Sequence, residues 1–178
     1  MMNSAPHVVP RFEPEFVQAL HNIDWFANCG QRLSASLVSG LPSEVVQVST
    51  LKKAQRQWGS SQWEEATLEA RNLFTDALSA QAPELHQQWN HITRQAKAEV
   101  LQPLAEKFWQ PYMQQHGLNT EFLHCVQWDV LGLCMEHAYR QQRGLPQFFH
   151  ALLKVYAAGH FPSGWEGGKY PNGRLLVW

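Results

Sequence analysis

Residues 159–178, GHFPSGWEGGKYPNGRLLVW, end the helical pattern of the chain and begin a different kind of structure. Glycine and proline occur every few residues, with large aromatic side chains between them. Glycine permits backbone conformations closed to other residues, whereas proline fixes φ and removes a hydrogen-bond donor. This C-terminal block (residues 159–178) therefore predicts one defined path of turns and not a disordered tail.

Part of the C-terminal block predicts β-structure. Asn172-Gly173 favours the tight turn of a β-hairpin. The segment 174–178, RLLVW, has the composition of a terminal strand. Its pairing partner is left open between the β-branched segment 45–48 and the region around Trp165.

Apolar residues at helical spacing precede the block and predict a series of helices. These cover residues 13–27, 50–58, 61–80, 83–115, 119–143 and 146–158. Ser61 and Glu64 match a capping box, and Pro103 predicts a kink or break inside the fourth helix. The buried side of the third helix is expected to contain Trp63, Ala66, Ala70, Leu73, Phe74 and Ala77, and Trp89 and Trp128 are also expected in the core.

The predicted fold class is therefore mainly α: a single-domain bundle of about five to six helices with a small C-terminal β-hairpin or terminal strand. We expect one domain over residues 1–178, with a flexible N-terminus at 1–11.

Composition narrows the range of functions. The chain has 178 residues, a net charge of −1 and 16% charged residues, with no basic excess of the kind that favours nucleic acid. Three widely spaced cysteines predict reduced thiols and no disulfide framework. No signal-peptide pattern or long apolar segment is visible. We therefore expect a cytoplasmic protein that binds neither nucleic acid nor membranes.

Two sets of helical side chains deserve consideration as chemical sites. Glu121 and His124 have the Glu-x-x-His spacing of di-metal helical bundles, and Glu65 and Glu69 could supply further carboxylates. The alternative is that Glu121 is an acid in the first turn of a helix, where the helix dipole favours a negative charge, and that His124 has no special role. Cys125, Asp129 and Glu136 share one stripe of the same helix, but no base is placed beside the thiol, and cysteine is commonly a small buried apolar residue.

The C-terminal block supplies the candidate protein-binding residues, which are His160, Trp165, Tyr170 and Arg174. Binding residues often lie on loops, and Tyr, Trp and Arg are frequent hot spots of interfaces. The alternative is that these aromatic side chains close one end of the helical core. Phosphate-loop, dinucleotide and hydrolase motifs are absent from the sequence, so no catalytic residue and no cofactor is predicted.

Four blocks of the chain, residues 24–30, 62–72, 89–90 and 159–178, resemble a bacterial family of uncharacterised cytoplasmic proteins. The last block carries the most specific motif, GHFPxGWxG followed by YPxGxLxV and an aromatic residue, with Ser163 where the family usually has Cys. Some proteins of this kind occur near polymorphic toxins or secretion systems. The resemblance implies an immunity or accessory role and supplies no catalytic residues.

Three functional hypotheses follow. The first is a non-enzymatic factor that binds another bacterial protein. The second is a small helical metal-binding protein or enzyme that uses Glu65, Glu69, Glu121 and His124. The third is a subunit that self-associates through an unpaired terminal strand.

Overall fold

The computed structural model describes residues 12–140 and 144–178. The fold is mainly α with a small sheet formed largely by the C-terminus, which confirms the predicted class. The predicted flexible segment 1–11 lies outside the described residues. The helices are α1 (Pro14–His21), α2 (Ala35–Ser39), α3 (Leu51–Gln57), α4 (Ser61–Gln81), α5 (Pro83–His86), α6 (residues 89–116), α7 (Thr120–Ala138) and α8 (Phe148–Ala157). The strands are β1 (Glu44–Gln47), β2 (Pro162–Glu166) and β3 (Arg174–Val177).

Side-chain caps begin α3 and α4. The Thr50 hydroxyl accepts the backbone N–H of Lys53 and so caps α3, which the sequence predicts over residues 50–58. The Ser60 hydroxyl accepts the N–H of Trp63 at 3.3 Å, so the cap of α4 is Ser60 and the prediction of Ser61 is wrong by one residue. Each cap satisfies an N–H that has no partner within the helix.

Helix α6 accommodates its two prolines by widening. It contains α-helical segments joined by two π-helical turns, Lys97–Leu101 and Ala105–Trp109. These turns precede Pro103 and Pro111. A proline has no N–H, and its ring clashes with the carbonyl one turn earlier, so a local change of helical pitch relieves the conflict. The predicted disturbance at Pro103 and the predicted helix start at Pro83 are confirmed, whereas the prediction of one continuous helix over 83–115 is wrong because Pro83–His86 forms the separate helix α5.

Strand β3 lies at the centre of the sheet, in the order β1-β3-β2. It pairs in parallel with β1, where Val45 faces Leu175, and antiparallel with β2, where Trp165 faces Leu175. Both partners left open by the sequence are therefore used. Because both edges of β3 are occupied, the hypothesis of self-association through an unpaired terminal strand is wrong.

Stacked aromatic rings join the C-terminal block to the helices. The ring centres of Phe122 and Phe161 lie 4.8 Å apart, and those of Trp58 and Phe161 lie 5.1 Å apart. Phe26 packs 5.0 Å from Phe122 and has a φ of 62°. This left-handed conformation lies beyond the end of α1, so the prediction of a helix through Ala27 is wrong; α1 ends at His21.

Two burial predictions on α4 and α7 are also wrong. Leu73 is 37% exposed, while Phe74 and Leu78 occupy the buried face of α4. Trp128 is 51% exposed although most of α7 around it is buried. Helix α7 ends at Ala138, earlier than predicted, and residues 141–143 of the predicted helix lie outside the described part of the chain.

Candidate functional site: the groove around Trp128

Trp128 stands at the meeting point of three clefts on one side of the molecule. Leu68 on α4, which is 45% exposed, lines one of them with Trp128. Single exposed apolar residues are ordinary, but a half-exposed tryptophan beside an exposed leucine in a concave surface is typical of a binding site. We call the three clefts together the Trp128 groove.

The first cleft, which we call the Asp129 cleft, lies between α4 and α7 and has a volume of about 320 Å³. Its lining combines apolar and charged side chains. The residues are Gly59, Trp63, Glu64, Thr67, Leu68, Arg71, Glu121, His124, Cys125, Trp128 and Asp129.

The other two clefts involve α6. One, of about 180 Å³, is largely apolar, with Phe74, Trp89, Met135 and Phe149 in its wall. The other is a shallower space of about 520 Å³ between α6 and α7. Lys97 lines both, so this side of the groove carries a cation near the tryptophan.

Charged side chains of both signs line the groove, including Glu106 together with Lys97 in the cleft between α6 and α7. Arg71 Cζ lies 5.3 Å from the centre of the Trp128 ring, in cation–π geometry. Glu64 and Glu121 lie in the Asp129 cleft near the N-terminal ends of α4 and α7. The ion pairs found between described residues join Glu13 with His137 and Arg140, and Glu166 with Arg174, so they use neither cation of the groove.

Asp129 is a buried acid that lines the cleft, with an exposed fraction of 2%. The Tyr156 hydroxyl of α8 donates a hydrogen bond to its Oδ2 at 2.5 Å. Its Oδ1 has no hydrogen-bond partner among residues 12–140 and 144–178. Burial raises the pKa of Asp129 to about 8, and the Tyr156 hydrogen bond only partly opposes this rise, so the fold favours the protonated carboxyl.

Cys125 lies one turn before Asp129, but its environment disfavours the thiolate. Burial and the neighbouring carboxyl of Asp129 raise the pKa of Cys125 to about 12, against hydrogen bonds from the Gly59 backbone and the Trp63 side chain. The thiolate is the nucleophilic form of cysteine. Cys125 therefore behaves as a buried thiol, as its apolar interpretation predicts.

Glu136, the third member of the predicted stripe, lies away from the cleft. Its two carboxylate oxygens accept the backbone N–H groups of Phe149 and His150, at 3.1 and 2.7 Å. These N–H groups belong to the first turn of α8, so Glu136 stabilises the start of that helix. Burial nevertheless raises its pKa to about 7.

The proposed metal ligands are not brought together. Glu121 and His124 line the Asp129 cleft, whereas Glu65 and Glu69 of α4 do not. Within the described ranges, no group of three or more His, Cys, Asp and Glu side chains is placed to bind a metal ion. Glu65 and Glu69 do not join the Glu-x-x-His pair, because they lie outside the face of α4 that lines the groove.

The four binding candidates of the C-terminal block have largely structural positions. His160 and Trp165 are buried. Tyr170 is half-buried and packs 4.7 Å from the Phe148 ring, and Arg174 pairs with Glu166 at 3.1 Å. The expectation that these side chains form an accessible binding surface is wrong for His160 and Trp165, because both are enclosed by the chain, Trp165 partly through its packing on Phe148 of α8.

Sequence reasoning missed the groove because Trp128 fits the apolar pattern of α7. One signal was present: Gln127 and Asp129 flank Trp128, and Arg71 follows Leu68 by one turn of α4. Only the packing of α4, α6 and α7 places these residues together.

No model of a known protein family, no curated protein and no solved structure matches this chain. The resemblance to the bacterial family described above stays a prediction. None of the helices in the described ranges combines the length and apolar character needed to cross a membrane.

Proposed function

We propose that this chain is a non-enzymatic protein-binding factor that holds a segment of another protein in the Trp128 groove. The observation that carries the proposal is the half-exposed Trp128, with Arg71 above its ring, where three clefts meet. Tryptophan and arginine dominate the hot spots of protein interfaces, especially where pockets surround them.

The charges of the groove describe the partner segment. Glu64 and Glu121 line the Asp129 cleft with Arg71, whereas Lys97 lines the other two clefts, one of which also contains Glu106. A complementary segment has a basic residue, then apolar side chains facing Leu68 and Trp128, then an acidic residue. Such complementarity selects the partner and sets its orientation.

The family resemblance supports the finer part of the proposal. It suggests a bacterial, cytoplasmic immunity or accessory protein whose partner is another bacterial protein. The proposed interface is the groove and not the C-terminal block, since the block's Trp165 is enclosed by the chain itself.

Site-directed photo-cross-linking tests this function. A benzoylphenylalanine at Leu68 should cross-link a protein partner in the native host, whereas the same residue at Val38 on α2, exposed to a similar degree, should not. With the purified partner, Trp128→Ala should raise Kd at least about 30-fold, as expected for a hot spot of 2 kcal/mol. Val38→Ala is the matched control and should leave Kd unchanged. Equal affinities of wild type and Trp128→Ala would contradict the proposal.

A further inference from the structure

The Asp129 cleft contains an acceptor that the described residues leave unused. Asp129 Oδ1 is buried and unpartnered within these ranges, while Oδ2 is held by Tyr156. An unpartnered buried polar atom is costly and is expected to have a structural or functional explanation. Asp129 lines the cleft although it is 2% exposed, so a group that enters the cleft lies next to the residue that carries this atom.

Three carboxyl groups and two tryptophans surround the same space. Glu64 and Glu121 line the cleft with Asp129, and the indole rings of Trp63 and Trp128 form part of its wall. Aromatic faces and carboxylates both attract cations. Thr67 and Leu68 add the smaller apolar surface on which an alkyl chain can lie.

We propose that the Asp129 cleft binds the ammonium group of a lysine side chain, with Asp129 Oδ1 as its acceptor. The lysine belongs to the partner segment described above, so the inference deepens the proposed function and rests on it. This places the basic end of the segment beside the N-terminal ends of α4 and α7. Arg71 also lines the cleft, but its guanidinium lies over the Trp128 ring and forms no ion pair with Glu64, Glu121 or Asp129 in the described structure.

Ammonium binding is coupled to the ionisation of Asp129. Because burial raises the pKa of Asp129 to about 8, an incoming ammonium displaces the carboxyl proton to solvent. Affinity should therefore rise about tenfold per pH unit below pH 8 and level off above it, until the lysine itself loses its proton near its ordinary pKa of about 10.4. The titratable and charged groups around Asp129 are Tyr156 from α8, Glu64 and Arg71 from α4, and Glu121, His124 and Cys125 from α7.

The test uses two capped amino acids on the intact chain. N-acetyl-lysine methylamide should shift the indole N–H resonances of Trp63 and Trp128 in a saturable NMR titration. N-acetyl-norleucine methylamide has the same alkyl stem without the charge and should bind at least tenfold more weakly. Calorimetry at pH 7 in buffers of different ionisation enthalpy should report close to one proton released per lysine ligand bound.

Three variants assign the effect. Asp129→Asn should weaken lysine-ligand binding at least tenfold at pH 8 and abolish proton release. Glu136→Gln changes a second buried acid of α7 outside the cleft and should leave both unchanged. His124→Gln should retain the proton release, which excludes the imidazole as its source.

The outcomes separate the two proposals. The ammonium site is overturned if the lysine and norleucine ligands bind equally well, or if the affinity for the lysine ligand falls as pH rises from 6 to 8. In either case the cross-linking result still decides the proposed function. Specific lysine-ligand binding without any cross-linked partner overturns the proposed function and leaves the cleft as an amine site. If Asp129→Asn does not fold, the norleucine control and the pH profile of the wild-type chain still decide.

Discussion

Trp165 and Trp128 have opposite environments in the same molecule. Trp165, in a segment rich in glycine and proline, is 1% exposed, whereas Trp128, in the middle of an apolar helix, is 51% exposed. Local sequence suggests the reverse assignment for each. Loop-like composition therefore does not by itself place an aromatic residue at the surface, and an apolar helix can present one to solvent.

The polar groups of the two regions differ in what surrounds them. In the C-terminal block, the Trp165 N–H donates to the carbonyl of Gly168 at 3.0 Å and Arg174 pairs with Glu166. In the groove, the Asp129 carboxyl keeps one oxygen without a partner among the described residues. The block also contains buried atoms without a described partner, His160 Nδ1 and Ser163 Oγ, but neither residue lines the Trp128 groove, whereas Asp129 does.

The largest effect should come from truncating the buried tryptophan. Trp165→Ala removes a ring that packs against Phe148 and Tyr170 and leaves a cavity between the sheet and α8. We expect the free energy of unfolding to fall by about 3–5 kcal/mol, as for other buried aromatic truncations. Urea denaturation followed by far-UV circular dichroism measures this loss. A loss below about 1 kcal/mol would remove the contrast between the two regions.

An intermediate effect should appear in the pH dependence of stability. The folded chain raises the pKa of Asp129 from 3.8 to about 8, so it retains a proton that the unfolded chain releases near pH 4. This contribution to stability is fully present below pH 4 and is lost as pH rises to about 8. At pH 9, the free energy of unfolding of Asp129→Asn should therefore exceed that of wild type by more than about 1 kcal/mol, since each pKa unit corresponds to about 1.4 kcal/mol.

Denaturant titrations of both proteins at pH 4 and pH 9 check this prediction. The difference between Asp129→Asn and wild type should be more favourable to the variant at pH 9 than at pH 4. If the difference in free energy of unfolding is the same at both pH values, the folded chain does not raise the pKa of Asp129. Because Glu136 also has a raised pKa, about 7, some of the wild-type pH dependence should persist in the variant.

The smallest effect on stability should come from the exposed tryptophan. Trp128→Ala removes a side chain that is half in solvent, together with its contact to Arg71. We expect the free energy of unfolding to change by less than about 1 kcal/mol, because surface substitutions seldom cost more. The same urea titration checks it, with Trp165→Ala as the reference. A loss comparable to that of Trp165→Ala would assign Trp128 to the core and weaken the case for the groove.

Much of the architecture was predictable from local signals. Thr50 begins α3, Pro103 disturbs α6, and the RLLVW segment forms a strand, because capping, missing N–H groups and β-branched or apolar runs act within a few residues. The errors occurred where neighbours decide. Phe26 leaves the helical pattern to join the Phe122 ring, and Leu73 yields the buried face of α4 to Phe74 and Leu78.

The candidate site was predictable only in fragments. The sequence predicts two separate groups here, a metal site with Glu121 and His124 and a thiol site with Cys125 and Asp129. Their common cleft also depends on Glu64, Leu68 and Arg71 of α4, which lie at least 50 positions earlier in the chain. Helical spacing indicates which residues share a face, but it does not indicate which helix that face meets.

The sequence by itself determined the mainly α class, the positions of most helices and the terminal strand, because these depend on periodicity and on the backbone preferences of Gly, Pro, Ser and Thr. The tertiary structure decided that β3 lies between two strands, that Trp165 is enclosed and that Trp128 is exposed beside a buried acid. Burial and pKa depend on which distant surfaces meet, and the free energy of that packing is a property of the whole chain and not of any local segment.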